Sequence, residues 1–268
     1  ANDTVQASID AILSELKTAQ ASITGARPAR EGTSETYESW LQRAADVRGR
    51  PCLYPYIGSG FGNGPLVELA DGSVKWDMIN GIGVHMFGHS HPTMVRAQLE
   101  AGLSDVCMEG NLQFNADMVE LSEMIATEAA KGSDIKYCFM TNSGAMANES
   151  ALKVCQQKMH GAPRILAFND CFMGRSTTMA QIGDSAGGRV GIPQNALVDY
   201  LPFYDELDGP ASACYAMKRL EEYIKRYPGQ HSCCIFELVQ GEGGFTVAPR
   251  EFFEPLMKRC KEAGIPVW

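Results

Sequence analysis

The sequence predicts an α/β protein in which helices cover both faces of a mostly parallel sheet, preceded by a smaller N-terminal α+β segment. Short apolar runs recur along the second half of the chain, and segments with helical spacing separate them. The runs are residues 135–140, 164–168, 196–201, 232–238 and 265–268. Short buried strands that alternate with helices are typical of parallel sheets covered on both faces.

Apolar residues at helical spacing predict the helices. We expect them at residues 4–18, 35–47, 92–103, 114–130, 145–159, 175–181, 211–226 and 251–263. Asp3 or Thr4 is the expected N-cap of the first helix. In the N-terminal segment, Asp71-Gly72 separates two alternating runs and predicts a β-hairpin. The glycine-dense stretch before it, residues 57–65, is predicted to be a loop.

Composition narrows the class of function. The chain has 268 residues and a net charge of −9, which disfavours nucleic acid as a partner. Its apolar runs are shorter than the ~18 residues that a membrane span requires, so no membrane partner is expected. Nine cysteines, an odd number without a CxxC pair, lie mostly in apolar runs. This pattern predicts that the cysteines are small core residues and that the protein lies in a reducing compartment, the cytoplasm.

A run of small residues follows the first apolar run of the predicted sheet and begins a helix. It contains Ser143, Gly144 and Ala145, preceded by Asn142. Small residues let a ligand approach the backbone, and the free N–H groups of a first helical turn favour a phosphate. The same pattern also fits a plain helix start capped by Asn142 or Ser143. The residues by themselves leave both interpretations open.

Two more segments follow later strands and are expected at the same sheet edge, where ligands of open α/β sheets bind. Phe172 follows the strand at 164–168 and could present a flat face to an aromatic ligand or pack in the core. Glu237, Gln240 and Glu242 accompany the end of the strand at 232–238 and lead into a glycine turn. Carboxylates there are solvated, paired or functional, because burial without a partner is costly.

Taken together, the three segments resemble those of the class III aminotransferases, in the fold-type-I pyridoxal-phosphate superfamily. Residues 68–84 and the stretch from Gly88 to Pro92 resemble the same family, so that the resemblance runs from about residue 55 to the end. It implies a pyridoxal 5′-phosphate cofactor. The implied reaction moves an amino group from an amino acid or ω-amino donor to a keto acid by a ping-pong mechanism.

The resemblance also implies roles for individual residues. Ser143, Gly144 and Ala145 would hold the cofactor phosphate, Phe172 would stack on the pyridine ring, and Glu237 would lie near the reacting centre.

Four further positions belong to the segments that carry the resemblance. Glu242 corresponds to a family glutamate that can pair with a substrate-gating arginine later in the family chain, and Gln240 belongs to the same neighbourhood. Met173 stands where the family often has histidine, which predicts a weaker contact on one side of the ring. Leu238 stands where the family often has proline and suits a buried strand.

The resemblance implies a domain organisation as well. Residues 1–91 would contribute to a small domain, and residues 92–268 would form an incomplete cofactor-binding large domain. We expect the chain to be truncated at Trp268, because it stops inside a predicted strand. The family's cofactor-binding lysine and the aspartate that pairs with the pyridine nitrogen would follow later, since no lysine here has a family-like context. The family is homodimeric, with the neighbouring subunit completing the phosphate pocket.

Other interpretations stay open beside this one. His85, His89 and His91 suggest a metal site, although no nearby cysteine or carboxylate completes it and we predict none. The glycines at 58–64 suggest a dinucleotide loop, but no clear strand precedes them. Aminomutases and decarboxylases share the family motifs, and a chain that ended at Trp268 would be a non-catalytic fragment. Acetylornithine-, ornithine- and 4-aminobutyrate-type donors all fit the sequence.

Overall fold

A computed structural model describes residues 2–104 and 114–268 of the chain. The chain divides into two compact units, Ala1–Gln113 and Phe114–Trp268. None of the helices in the two described ranges is long and apolar enough to cross a membrane. The assignment of residues 1–91 and 92–268 to the small and large domains of the family stays a prediction.

Helices and one antiparallel sheet make up the first unit. Its elements are α1 (Asp3–Gln20), α2 (Ser34–Arg48), β1 (Gly58–Asn63), β2 (Leu66–Leu69), β3 (Val74–Trp76) and α3 (Pro92–Gly102). The predicted helices are confirmed, and α3 packs against α1. The predicted cap is wrong by one residue, because the side chain of Asn2 accepts the hydrogen bond from the Thr4 N–H.

The sheet of this unit has the order β1-β2-β3, with both pairs antiparallel. The hairpin predicted around Asp71-Gly72 is confirmed, and Gly72 has φ of 78°. The loop predicted for the glycine-dense stretch is wrong, since Gly58–Asn63 pairs with β2 as a strand. The reason is close packing: a Cβ at Gly62 would lie 2.5 Å from the Cβ of His89, so glycine is needed for contact rather than flexibility.

The second unit is an α/β structure built on a parallel sheet. Its elements are α4 (Ala116–Ala130), α5 (Gly144–Lys158), β4 (Arg164–Phe168), α6 (Thr177–Ile182), β5 (Leu197–Leu201), α7 (Ala211–Arg226), β6 (His231–Cys234), β7 (Val239–Gln240), β8 (Thr246–Val247) and α8 (Arg250–Glu262). The sheet order is β5-β4-β6, and both pairs are parallel. The predicted fold class is confirmed.

Both faces of the parallel sheet are buried because successive β4 side chains point to opposite sides. Ile165 and Ala167 pack in a cluster with residues of α5 and α6. Leu166 and Phe168 pack on the other face with residues of α7 and α8, where Phe252 and its neighbours form an aromatic group. The parallel sheet therefore lies between two packed layers of helices.

A buried charged cluster ties the three parallel strands together. The guanidinium of Arg164 bonds both carboxylate oxygens of Asp199, with Nε 2.7 Å from Oδ2. Nε2 of His231 lies 2.9 Å from the same Oδ2, and Arg164 also lies over the ring of Tyr227. Asp199 and His231 are almost completely buried, so each charge there depends on its partners.

The strand predicted at residues 135–140 is not formed. Ile135, Tyr137 and Phe139 are exposed by 54, 90 and 66%, and no neighbouring strand among the described residues supplies a ladder to this segment. The alternating apolar residues are typical of a strand. A strand forms, however, only when a neighbouring strand pairs with its backbone hydrogen-bonding groups.

Two other strand predictions need adjustment. The run at 232–238 forms a strand only over His231–Cys234, and a short hairpin of β7 and β8 follows where a glycine turn was predicted. The final run, 265–268, makes one parallel bridge between Val267 and Cys234. Hydrogen bonds from the Trp268 N–H to the Cys234 carbonyl and from the Cys234 N–H to the Pro266 carbonyl hold it beside β6.

Candidate active site

Three segments meet beyond the carboxyl ends of β4 and β6. They are the first turn of α5, the loop at residues 169–176, and the segment at residues 235–244, which includes β7. The parallel order of β4 and β6 predicted the approach of the two segments that follow these strands. The strand predicted before α5 is not formed, and the contacts of α5 itself bring its first turn to the loop after β4.

The first turn of α5 is open and capped by its own serine. Ser143 is extended, with φ of −164°, and its hydroxyl oxygen accepts a hydrogen bond from the Met146 N–H at 3.2 Å. A Cβ built at Gly144 would meet no described atom within 4 Å. The exposed N–H groups of a first turn and the positive end of the helix dipole favour an anion at this position.

Ala145 joins this turn to the loop after β4. Gly174 has φ of +127°, a conformation that favours glycine, and a Cβ there would lie 2.7 Å from the Cβ of Ala145. The small residues at both positions therefore serve close contact between the two segments. Gly174 was not among the residues that the sequence singled out.

Glu237 ties the loop that carries Phe172 to the segment after β6. Its Oε2 accepts a hydrogen bond from the Phe172 N–H at 2.9 Å, and its Oε1 accepts one from the Gly241 N–H at 3.1 Å. Phe172 itself is half-buried, and the guanidinium carbon of Arg175 lies 5.9 Å from its ring centroid. The carboxylate thus fixes the backbone beneath a partly exposed aromatic ring.

Gln240 also holds the loop at residues 169–176. Its side chain is buried, and its Nε2 donates to the carbonyl of Asn169 at 2.6 Å. Gly243 packs against this arrangement, because a Cβ there would lie 2.7 Å from the Asp170 carbonyl oxygen. Asp170 has φ of 57°, and its N–H donates to the carboxylate of Asp184 at 2.9 Å.

A cavity of about 460 Å³ lies beside these loops. Phe172, Arg175, Asp184 and Glu242 contribute to its lining. Glu242 is exposed there, as expected of a residue that would pair with a charged partner. Cys171 also contributes, but burial raises the pKa of its thiol to about 12, so the thiol is uncharged at neutral pH.

The side chain of Met173 lies in the hydrophobic core rather than in the cavity. It is 3% exposed and packs in the same cluster as Ile165 and Met179. This burial gives the side chain a packing role, and its predicted contact with a ligand stays a prediction. The Met173 carbonyl faces α5, where it accepts a hydrogen bond.

Sequence reasoning missed two residues of α5 that face the loop after β4. Nδ2 of Asn148 donates to the Met173 carbonyl at 2.8 Å, and its Oδ1 accepts from Nε1 of Trp268 at 2.7 Å. The carboxylate of Glu149 accepts from the Ser176 hydroxyl at 2.6 Å. No apolar periodicity could have found these residues, because their partners are distant in the chain.

The three histidines of the first unit are not arranged around a metal. The rings of His85 and His89 stack with centroids 4.2 Å apart, and Nε2 of His89 lies 2.7 Å from Oδ2 of Asp77. Residues 2–104 and 114–268 contain no group of three or more His, Cys, Asp or Glu residues that could hold a metal ion.

A family model described as aminotransferase class-III matches residues 59–267, which is most of the chain. The chain belongs to this family. Among the relatives of this class-III aminotransferase chain is the acetylornithine aminotransferase of Corynebacterium efficiens, 29% identical over 236 residues that cover 86% of this chain and 54% of that protein.

Two more relatives are named for acetylornithine and for 5-aminovalerate. The acetylornithine aminotransferase of Bacillus subtilis is 34% identical over 200 residues, covering 74% of this chain and 47% of that protein. The 5-aminovalerate aminotransferase DavT of Pseudomonas putida is 31% identical over 245 residues, covering 87% of this chain and 55% of that protein. The chain therefore spans about half the length of these relatives.

Solved structures show the same fold. An (S)-enantioselective omega-transaminase from Thermomicrobium roseum superposes with a TM-score of 0.74 at 19% identity, covering 86% of this chain and 56% of that one. A second structure is a taurine:2-oxoglutarate aminotransferase from Bifidobacterium kashiwanohense, solved with pyridoxal phosphate and glutamate. It superposes with a TM-score of 0.73 at 18% identity, covering 86% of this chain and 54% of that one.

Proposed function

We propose that this chain forms the cofactor-binding part of a pyridoxal-phosphate-dependent transaminase. The observation that carries the proposal is the open, serine-capped first turn of α5, held against the loop that presents Phe172. Membership of the class-III aminotransferase family supports it. The proposed reaction moves an amino group from an amino acid or ω-amino donor to a keto acid.

The residues present fit pyridoxal phosphate on structural grounds. The space in front of Gly144 is open, and the first turn of α5 offers N–H groups to a phosphate. Phe172, whose ring is partly exposed, is held by Glu237 at the neighbouring sheet edge. Ser143, Gly144 and Ala145 would hold the phosphate, and the ring of Phe172 would lie against the pyridine.

The cofactor, when bound, supplies an electron sink for removal of a proton next to the substrate nitrogen. The chain's own residues supply position and charge. Glu237 keeps the Phe172 backbone fixed through two accepted hydrogen bonds, so its carboxylate orients the loop beside the reacting centre. Glu242, exposed at the cavity, would pair with a positively charged group of the substrate or with a gating arginine.

The substrate proposal is an amino donor with a terminal amine. It is supported by relatives named for acetylornithine and 5-aminovalerate, both of which have such an amine. The cavity at Glu242 and Arg175 offers both signs of charge, which suits a donor that has an amine and a carboxylate. Aminomutase and decarboxylase activities, left open by the sequence, have no supporting observation here.

A donor screen on the full-length protein tests the function. The protein would be loaded with pyridoxal phosphate, incubated with single amino donors, and assayed for the keto product and for the aminated cofactor by its absorbance. We expect a terminal-amine donor to give both, and 2-oxoglutarate to restore the original spectrum. Loss of carbon dioxide, or an isomerised donor without net amino transfer, would contradict the proposal.

We also propose a homodimer. In the first unit, Met78, Ile82, Val84 and Phe87 are exposed by 64 to 90%, and an apolar surface of this kind is typical of an interface. Sedimentation of full-length Ile82→Asp should show monomers, and Val47→Asp, which changes an equally exposed residue at the end of α2, should remain dimeric. Monomeric wild-type protein would contradict the dimer.

The proposed location is the cytoplasm. Eight cysteines of the described residues are free, and five of these are buried, which suits a reducing compartment. Fractionation of cells that express the full-length protein tests this. Recovery in an oxidising compartment would contradict it.

A further inference from the structure

One side chain, that of Asn148, joins three parts of the proposed cofactor site. It lies on α5, five residues beyond Ser143 and therefore about 7.5 Å along the helix axis. Its Nδ2 donates to the Met173 carbonyl at 2.8 Å, next to Phe172. Its Oδ1 accepts from Nε1 of Trp268, in the segment beside β6, at 2.7 Å.

The chemistry of the two partners fixes the orientation of this amide. An indole N–H is only a donor and a carbonyl is only an acceptor, so Oδ1 must face Trp268 and Nδ2 must face Met173. Aspartate could satisfy Trp268 but would place a second acceptor against the Met173 carbonyl. An amide is therefore the group that satisfies both sides.

Other contacts hold the same loop, from Phe172 to Ser176. Glu149 accepts from the Ser176 hydroxyl at 2.6 Å, and Ala145 contacts Gly174. On its other side, the Phe172 N–H is held by Glu237. The loop from Phe172 to Ser176 is thus clamped between α5 and the segment after β6, with Asn148 at the centre of the α5 side.

We propose that Asn148 is a positioning residue that sets the separation between the phosphate-holding first turn of α5 and the ring-facing Phe172. The inference rests on the proposed function, because it concerns how that site holds pyridoxal phosphate. Asn148 acts through the Met173 backbone, and the Trp268 indole holds the amide in the orientation that this requires.

The test uses the full-length protein and the variant Asn148→Asp. A carboxylate oxygen facing the Met173 carbonyl repels the loop, and we expect about tenfold weaker binding of pyridoxal phosphate, measured by equilibrium dialysis. We also expect a changed visible circular dichroism of the bound cofactor, because the ring is held in a different orientation. Gln157→Glu, the same chemical change at an exposed site on α5, should leave both measurements unchanged.

A second variant keeps the inference falsifiable if Asn148→Asp does not fold. Trp268→Phe removes the indole donor and keeps an aromatic ring, and we expect a few-fold weaker binding with a dichroism change in the same direction. Binding and dichroism within twofold of the wild type in a folded variant, even with lower thermal stability, would reduce Asn148 to a structural role and overturn the inference. A wild-type protein that binds no pyridoxal phosphate would overturn the proposed function as well.

Discussion

The carboxylate of Glu237 accepts a hydrogen bond from the backbone N–H of Phe172 across a separation of 65 residues, with a distance of 2.9 Å. This bond connects the segment after β6 to the loop after β4. The other oxygen of the Glu237 carboxylate accepts a hydrogen bond from the Gly241 N–H at 3.1 Å. Both acceptors of the carboxylate therefore organise the backbone around the proposed cofactor ring.

Replacement of Glu237 by glutamine should damage both folding and cofactor binding. Glutamine keeps one acceptor, but its NH2 group would face a backbone N–H, which costs about 1–3 kcal/mol. We expect a lower urea midpoint and weaker pyridoxal phosphate binding for the full-length Glu237→Gln variant. Glu206→Gln, in an exposed turn, is the matched control and should match the wild type; wild-type behaviour of both variants would contradict the role.

Replacement of Ser143 by aspartate separates helix capping from phosphate binding. Aspartate is a good N-cap, so α5 should stay intact, but its negative charge would repel the phosphate. We expect affinity for pyridoxal phosphate to fall more than about 100-fold, an effect of roughly 3 kcal/mol that a charge at contact distance can produce, with little change in the melting temperature.

Asn115→Asp is the matched control for this prediction, because Asn115 caps α4 through the Met118 N–H. It should preserve both the melting temperature and the affinity. Equal affinity of Ser143→Asp and wild-type protein would refute a phosphate site at the first turn of α5.

A methyl group at Gly174 should separate the loop from α5. Gly174→Ala is strained at φ of +127° and brings a Cβ to 2.7 Å from that of Ala145. We expect the free energy of unfolding to fall by about 1–3 kcal/mol and cofactor binding to weaken. Gly187→Ala should have neither effect, since a Cβ there meets no described atom within 4 Å; equal stability of the two variants would contradict the close contact.

The buried carboxylate of Asp199 should be essential for folding. In Asp199→Asn the partly buried Arg164 guanidinium loses its charged partner, and breaking a buried ion pair from one side costs about 3–5 kcal/mol. Chemical denaturation of the full-length protein measures the loss. The exposed Asp208→Asn control should change stability by less than about 0.5 kcal/mol, and an equally small loss for Asp199→Asn would refute the prediction.

Stability should fall on mild acidification because of His231. Burial lowers the pKa of His231, and this outweighs the opposite effect of Asp199. The folded protein therefore takes up this proton less readily than the unfolded chain. The contribution of His231 to stability is complete above the ordinary histidine pKa of about 6.5 and is lost as pH falls below it through the folded pKa.

Unfolding curves measured between pH 7.5 and 5 check this sign. We expect the wild type to lose stability across this interval and His231→Asn to show a flatter profile. His160→Asn changes an exposed histidine and should keep the wild-type slope. A His231→Asn profile as steep as that of the wild type would show that another group causes the loss.

The sequence by itself determined the fold class, the family resemblance and most of the helices of this protein. Local pattern suffices for these, because helices such as α7 bury one apolar stripe and parallel strands such as β4 are apolar on both faces. The order of the parallel strands also predicted that Phe172 and Glu237, which follow β4 and β6, lie near one sheet edge.

Only the tertiary structure decided the contacts that hold this edge together. The bonds of Asn148 to Met173 and Trp268, and of Glu237 to Phe172, join residues 25 to 120 positions apart, and no local periodicity encodes such pairs. The run at 135–140 also shows that local sequence does not decide which segments pair. Its side chains have strand character, but a strand forms only where another segment meets its backbone hydrogen bonds, and that depends on the whole fold.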